Sequence, residues 1–428
     1  MTSNPDIQLL LTGDELMSGD TVDSNSALIA RELAVIGLAP RRRVTLGDDQ
    51  DALVAEITAI TEQADGLVIN GGLGPTIDDL TAEVLAAVAG VPLREHEEAL
   101  QGLQAWCDRR RLPLNDANRK QANLPEGCFI VKNPVGSAPG FGMEINGCLV
   151  ICTPGVPSEL RAMLPEIMDR FGERFGTKIR KQILRLQTFG IGESSAQQLV
   201  KDNCPDWPEE VILSFRAGAP QLEIKLSVSR DEDLPVRDLC RERLESLFGD
   251  HIIGENDTRM AEAVINLARD QGKRITCAES CTGGMIASLI TQIAGSSDVF
   301  PGGFVTYSNE LKASVLGVTE ETLENHGAVS RDTVIEMVRG ALREASADLA
   351  VAVSGIAGPG GGTPDKPVGT VWIAWGDETH IDTICLRWPV ERTLFQTMVS
   401  AAALDGLRRR LSGIEKTSSY FEQRRVDA

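Results

Sequence analysis

The chain has 428 residues, 42 % hydrophobic and 24 % charged, with a formal net charge of −20. That length exceeds what one hydrophobic core usually fills, so two or three domains are expected, and the composition is that of an ordinary folded globular protein. The negative charge argues against electrostatic capture of a nucleic-acid backbone; no apolar run reaches membrane-spanning length, and the first residues pair no basic stretch with an apolar core, so a cytoplasmic protein, neither exported nor embedded, is expected.

Residues 7–12 read as a strand, and 24–37 repeat apolar residues at helical spacing (Leu28, Ile29, Leu33, Ile36) before a glycine stop. A helix over 51–63 leads to an apolar strand over 66–70, which runs from Asn70 straight into Gly71-Gly72-Leu73-Gly74-Pro75-Thr76. Strands alternating with helices imply a mostly parallel sheet covered on both faces, with ligands bound where strands end. A further core strand over 149–153, the turn Pro154-Gly155-Val156-Pro157 and a helix over 158–171 close a first domain at 1–172. The pattern then changes: 222–229 alternates apolar and polar residues, as a strand with one solvated face does, and 173–254 reads as a small α+β middle domain. A helix over 260–271 introduces a strand over 275–279, and strands recur at 304–307, 349–354 and 371–375, giving a third, α/β domain over 255–414. The tail 415–428 carries too little apolar periodicity to assign an element and fits a disordered segment.

Nine scattered cysteines without a CxxC pair suggest reduced thiols, and four isolated histidines form no HExxH, so any metal should be held by oxygen. The runs Arg41-Arg42-Arg43 and Arg408-Arg409-Arg410 read as solvated faces or helix ends.

Asp14-Glu15, Asp48-Asp49 and Asp78-Asp79 fall beside glycine-rich turns at predicted strand ends or loops. Such carboxylates suit a divalent cation that bridges to substrate phosphates, while Gly71, Gly72 and Gly74 let backbone N–H groups approach those phosphates. The same acids also suit helix capping, Asp78 or Asp79 for the helix that begins near Leu80.

Ser280 follows the strand 275–279 and precedes Cys281-Thr282-Gly283-Gly284 and a helix. A nucleophile at a strand-to-helix junction lies beside free backbone N–H groups that can hold an oxyanion or a phosphate. No histidine is near in sequence, so Lys312 is the candidate base, with burial lowering its pKa, and Tyr307 is placed to hydrogen-bond either partner or the substrate. Cys281, at the same helix N-terminus, is a rival nucleophile, and the residues alone leave both open.

Gly13-Asp14-Glu15-Leu16 with Asn25, Gly71 to Thr76, Asp78-Asp79-Leu80-Thr81, Asn133 to Gly140 and Pro154 to Glu159 resemble the molybdopterin-binding-like domain of the CinA family. Ala278 to Gly284, Ala294 to Ser297, Val305 to Asn309 with Lys312, Gly327 to Ser330, Ser354 to Pro359 and Lys366 to Val371 resemble that family's nicotinamide mononucleotide deamidase domain. The resemblance covers nearly the whole chain. It implies a three-layer N-terminal domain that hydrolyses ADP-ribose to AMP and ribose 5-phosphate with Mg²⁺, Co²⁺ or Mn²⁺. Asp48 and Asp79 match acidic positions of molybdopterin enzymes with that fold. It also implies a C-terminal domain that converts nicotinamide mononucleotide to nicotinic acid mononucleotide and ammonia without a cofactor. There Ser280 would attack, Lys312 would carry the proton and Tyr307 would orient the pair; Thr282, Gly283 and Gly284 would hold the oxyanion or phosphate, and Gly355 to Gly362, with Gly355 and Gly358, would form a second wall. A homodimer is implied, and nucleic acid and membrane are not expected as partners. Two other readings are an N-terminal domain that binds a ligand without turnover and an interaction protein of DNA uptake or damage.

Overall fold

The computed structural model describes residues 5–176 and 182–426, and the chain divides at Gln182/Ile183 into two compact units. In the first, strands β1 (Ile7–Thr12), β2 (Pro40–Leu46) and β3 (Gly66–Asn70) are followed by a short pair, β4 (Leu93–Glu95) and β5 (Asn123–Pro125). Then come β6 (Phe129–Val131), β7 (Gly140–Ile145) and β8 (Cys148–Thr153). The main sheet runs β2-β1-β3-β8-β7-β6, parallel from β2 to β8, with β7 antiparallel to both of its neighbours.

Alternate residues of each strand feed two cores, which makes three layers. Leu10, Leu67, Ile69 and Val150 meet the helices Gln50–Thr61, Thr81–Ala89 and Glu97–Arg110. On the other face Leu9, Leu11, Val68 and Ile151 meet Asn25–Val35 and Pro157–Phe175. Burial on both faces explains why these strands read as unbroken apolar runs. The register pairs Thr12 with Leu46, Leu11 with Asn70 and Asn70 with Thr153, so the loops after all four strands emerge along one edge.

The second unit holds two sheets. β9 (Gln182–Thr188), β10 (Ile212–Ala217), β11 (Leu222–Val228) and β12 (Ile252–Glu255) form the order β10-β11-β9-β12, with helices Glu193–Asn203 and Leu234–Phe248 between strands. This is the βαββαβ arrangement of ferredoxin-like folds. β13 (Ile275–Glu279), β14 (Gly303–Val305), β15 (Leu349–Gly355), β16 (Thr370–Gly376) and β17 (Ile381–Arg387) follow in the order β14-β13-β15-β16-β17. The first three are parallel; β16 and β17 turn antiparallel.

The two sheets share buried material: Phe189 and Ile253 belong to the core built on helices Met260–Asp270 and Arg392–Leu411. Two readings of the basic and terminal segments change here. Arg408 and Arg409 do end a helix, but they are buried, at 4 % and 3 % exposure, rather than solvated. Asp405, itself fully buried, accepts from both, and they reach on to the Asp250 carbonyl and carboxylate. Buried guanidinium groups persist because every charge is paired. The segment after Ile414 is not a disordered tail over its described part. Phe421 packs against Phe189 and Trp388 with centroids 5.7 and 6.3 Å apart, and Arg425 bridges Leu386. One large side chain in a ready pocket anchors a segment that has no periodicity.

Candidate active site

β13 ends at Glu279 beside Val305 of β14 and Val353 of β15. The ladder continues one step further through Ser280 N–H to the Val353 carbonyl and Thr306 N–H to the Glu279 carbonyl, 3.1 and 2.9 Å. Ser280 and Thr306 are thereby fixed side by side where the parallel strands end. Gly283 donates back to the Ser280 carbonyl at 3.2 Å, and with φ of 63° and 99° Gly283 and Gly284 hold left-handed backbone that a side chain would strain. The helix Met285–Thr291 starts immediately after.

Lys312 arrives on the helix Asn309–Leu316, whose N-terminus is capped by the Ser308 hydroxyl accepting from Leu311 N–H. Lys312 is 1 % exposed, and its ammonium donates to Ser280 Oγ at 3.0 Å, the Thr306 carbonyl at 2.8 Å and the Tyr307 carbonyl at 3.4 Å. Burial pushes its pKa below the ordinary lysine value. With two of three positions on nitrogen taken by carbonyls, loss of one proton leaves the lone pair to point at the Ser280 hydroxyl. The rival nucleophile fares differently: Cys281 is 4 % exposed, and burial pushes its thiol up to about 12, so it stays protonated at neutral pH.

Tyr307 contacts the pair through its main chain. Its side chain is 61 % exposed, and its hydroxyl accepts from Arg392 at 3.2 Å rather than meeting Ser280 or Lys312. Arg392 also donates to the Gly358 carbonyl at 2.9 Å, so Tyr307, Arg392 and the Gly355 to Gly358 segment form one wall. The oxyanion donors expected from Thr282, Gly283 and Gly284 shift as well. Glu279, fully buried, accepts from the amides of Gly284, Ile286 and Ala287 and from the Thr282 hydroxyl at 2.6 Å, while Gly283 N–H is spent on its turn. Among the described residues the unengaged amides beside Ser280 are those of Cys281 and Thr282. Sequence reasoning missed Glu279 and Arg392: the first reads as the end of a strand, and the second lies far along the chain from Tyr307.

The first unit carries a separate cleft of about 500 Å³ along its loop edge, lined by Glu15, Asp48, Gly71, Gly72, Gly74, Asp78 and Asp79 among others. Asp14 and Asp48 clasp their two loops: each carboxylate accepts from the other's amide, at 3.1 and 3.2 Å, and Asp48 also takes the Thr12 hydroxyl at 2.7 Å. Asp79 accepts from the Thr76 amide at 2.8 Å inside its own loop, against Gly74, where a Cβ would lie 2.5 Å from the carboxylate. Asn70 is buried, with its side chain spent on Asn25, Thr153 and the Pro154 carbonyl, so it shapes the cleft rather than facing it. Among the described residues no three acidic, histidine or cysteine side chains converge to hold an ion. The exposed carboxylates on the cleft wall are Glu15 and Asp78.

Fold and geometry define a two-unit α/β protein with a Ser–Lys pair at a strand-to-helix turn in one unit and a glycine-rich acidic cleft in the other. Residues 257–411 match the family described as "CinA C-terminal domain" and residues 8–172 the one described as "Probable molybdopterin binding domain". A "CinA-like protein" of Colwellia psychrerythraea is 46 % identical over 426 residues, 99 % of either chain, and one of Shewanella piezotolerans is 40 % identical over 407 residues, 95 % of this chain and 96 % of that one. The solved competence/damage inducible protein CihA of Agrobacterium tumefaciens is 42 % identical and covers 37 % of this chain and 94 % of its own, with a TM-score of 0.35. The chain belongs to the CinA family. Among the described residues no helix is long and apolar enough to cross a membrane.

Proposed function

We propose that the C-terminal domain hydrolyses the carboxamide of nicotinamide mononucleotide to nicotinic acid mononucleotide and ammonia. The observation that carries this reading is the 3.0 Å contact between Ser280 Oγ and the amine of Lys312, a residue 1 % exposed, with no histidine hydrogen-bonded to either among the described residues. Neutral Lys312 takes the Ser280 proton as Oγ bonds to the carboxamide carbon, giving a tetrahedral oxyanion. Lys312 then hands that proton to the departing nitrogen; the C–N bond breaks and ammonia leaves an ester on Ser280. Water attacks the ester, Lys312 takes a proton from the water and returns it to Oγ, and the nicotinic acid nucleotide leaves. Arg392, exposed beside Tyr307, suits the substrate phosphate. The test is incubation with nicotinamide mononucleotide: ammonia and nicotinic acid mononucleotide should appear in equal amounts, and production of neither sinks the reading.

For the first unit, the family resemblance and the loop-edge cleft support hydrolysis of ADP-ribose to AMP and ribose 5-phosphate. A divalent ion brought in with the pyrophosphate needs only one or two protein carboxylates, here Glu15 and Asp78, and would neutralise the phosphates and activate water. A second reading, a cleft that binds a nucleotide or pterin without turnover, is favoured by the Asp14, Asp48 and Asp79 carboxylates being spent on their own loops. AMP release with Mg²⁺, Co²⁺ or Mn²⁺ supports the first reading; binding without AMP supports the second.

A further inference from the structure

We propose that Gln396 is a positioning residue that aims the Thr282 amide as an oxyanion donor, an inference that rests on the amidohydrolase reading of Ser280. Gln396 lies one turn into the helix Arg392–Leu411, and its amide nitrogen donates to the Cys281 carbonyl at 2.9 Å. Only the NH₂ end of a glutamine can pair with a carbonyl, which fixes the orientation of the group. The Cys281 carbonyl and the Thr282 N–H belong to one planar peptide unit and point in opposite directions across it. Holding the carbonyl therefore sets where the N–H points, and polarising the amide strengthens it as a donor.

The direction follows from what lies on each side. Gln396 lines a cavity of about 690 Å³ together with Thr282, Gly283 and Gly284, and Ser280 is not among its walls. The Ser280 hydroxyl instead meets Lys312 on the strand-end side. With its carbonyl turned toward the Arg392–Leu411 helix, the peptide presents the Thr282 N–H away from that helix, and on this proposal the side it faces is the one that holds the Ser280 hydroxyl. Glu279 anchors the same residue through its side chain, accepting from the Thr282 hydroxyl at 2.6 Å, and leaves the orientation of the Cys281–Thr282 peptide to Gln396. Glu279 takes the amides of Gly284, Ile286 and Ala287, and the Ser280 and Thr282 carbonyls take those of Gly283 and Met285, which leaves the Cys281 and Thr282 amides for the oxyanion among the described residues.

The experiment is steady-state turnover of nicotinamide mononucleotide by the full chain, as wild type, Gln396→Ala and Gln396→Glu, across pH. Removing a direct oxyanion donor typically costs ~10²–10³-fold, so losing the group that aims one should lower kcat by roughly 10- to 100-fold with little change in KM. Gln396→Glu should match Gln396→Ala at neutral pH, where a carboxylate cannot donate. Its deficit relative to wild type should shrink as pH falls and the protonated acid regains a donor, a pH dependence that mere packing would not show. A Gln396→Ala kcat within about twofold of wild type, a deficit confined to KM, or a Gln396→Glu ratio that is flat with pH each overturns the proposal. Should Gln396→Ala fail to fold, the pH series on Gln396→Glu decides. Wild type without turnover sinks the parent activity and this inference together; wild-type turnover with an unaffected Gln396→Ala sinks only the inference.

Discussion

Replacing Lys312 by methionine separates what the amine does for chemistry from what it costs the fold. Methionine keeps the unbranched stem but has no base to offer Ser280. Loss of a general base costs ~10²–10⁴-fold in rate, and kcat should fall by that order with KM little changed. The stability effect depends on pH, and its sign follows from burial. Lys312 is 1 % exposed and its pKa is lowered, so below the lowered value the folded state holds a proton at a desolvated site and carries the full penalty. As pH rises through the lowered value toward the unfolded value near ~10.4, the unfolded chain keeps a proton that the folded protein has released. Wild type then gains stability by up to ~1.4 kcal/mol per pH unit, and the penalty is gone above both values. The methionine variant has no such titration. It leaves the Thr306 and Tyr307 carbonyls without their donor, a roughly constant cost of ~1–3 kcal/mol. Urea denaturation of both proteins from neutral pH to about pH 10 should show wild type gaining on the variant as pH rises. A difference that is flat or falls with pH refutes the assignment of a desolvated, depressed lysine.

Three further outcomes are expected. Cys281→Ala should retain most of the nicotinamide mononucleotide turnover, because a thiol pushed to about 12 is protonated at neutral pH; loss of activity with an intact fold in thermal melting would make the thiol the nucleophile. Glu279→Gln should destabilise the protein by about 2–4 kcal/mol in chemical denaturation and lower kcat, since an amide NH₂ turned toward the donors that the carboxylate now accepts leaves buried groups unpaired. AMP production from ADP-ribose should require Mg²⁺, Co²⁺ or Mn²⁺ and stop with chelator, and Asp78→Asn with Glu15→Gln should suppress it; unchanged AMP release by that double variant would remove both residues from the metal-binding role.

Much of the architecture can be read from local pattern, because strands buried on both faces, such as Gly66–Asn70 and Ile275–Glu279, appear as short apolar runs that end in glycine-rich turns. Ser280 is legible for the same reason, since it sits just past a strand end where the parallel register brings neighbouring strands level, and Lys312 lies on the helix that follows the end of the next strand. What pattern does not reveal is where a polar group spends its hydrogen bonds. Glu279 looks like a strand terminus until the chain turns back over it and its carboxylate closes on three helix amides. Tyr307 and Asn70 occupy suggestive positions, yet the hydroxyl of one lies on Arg392 and the amide of the other holds a neighbouring loop. Arg408 and Arg409 follow the same rule in reverse, since their burial depends on Asp405 one turn earlier and on Asp250, more than a hundred residues upstream.

The central claim is that Ser280, activated by Lys312, is the nucleophile of an amidohydrolase. Release of nicotinic acid mononucleotide from nicotinamide mononucleotide, measured side by side for wild type and Ser280→Ala, tests it most directly. The account predicts turnover by wild type and a loss of at least ~10³-fold in Ser280→Ala without change in thermal stability beyond that of a surface substitution. Substantial turnover by Ser280→Ala would contradict it.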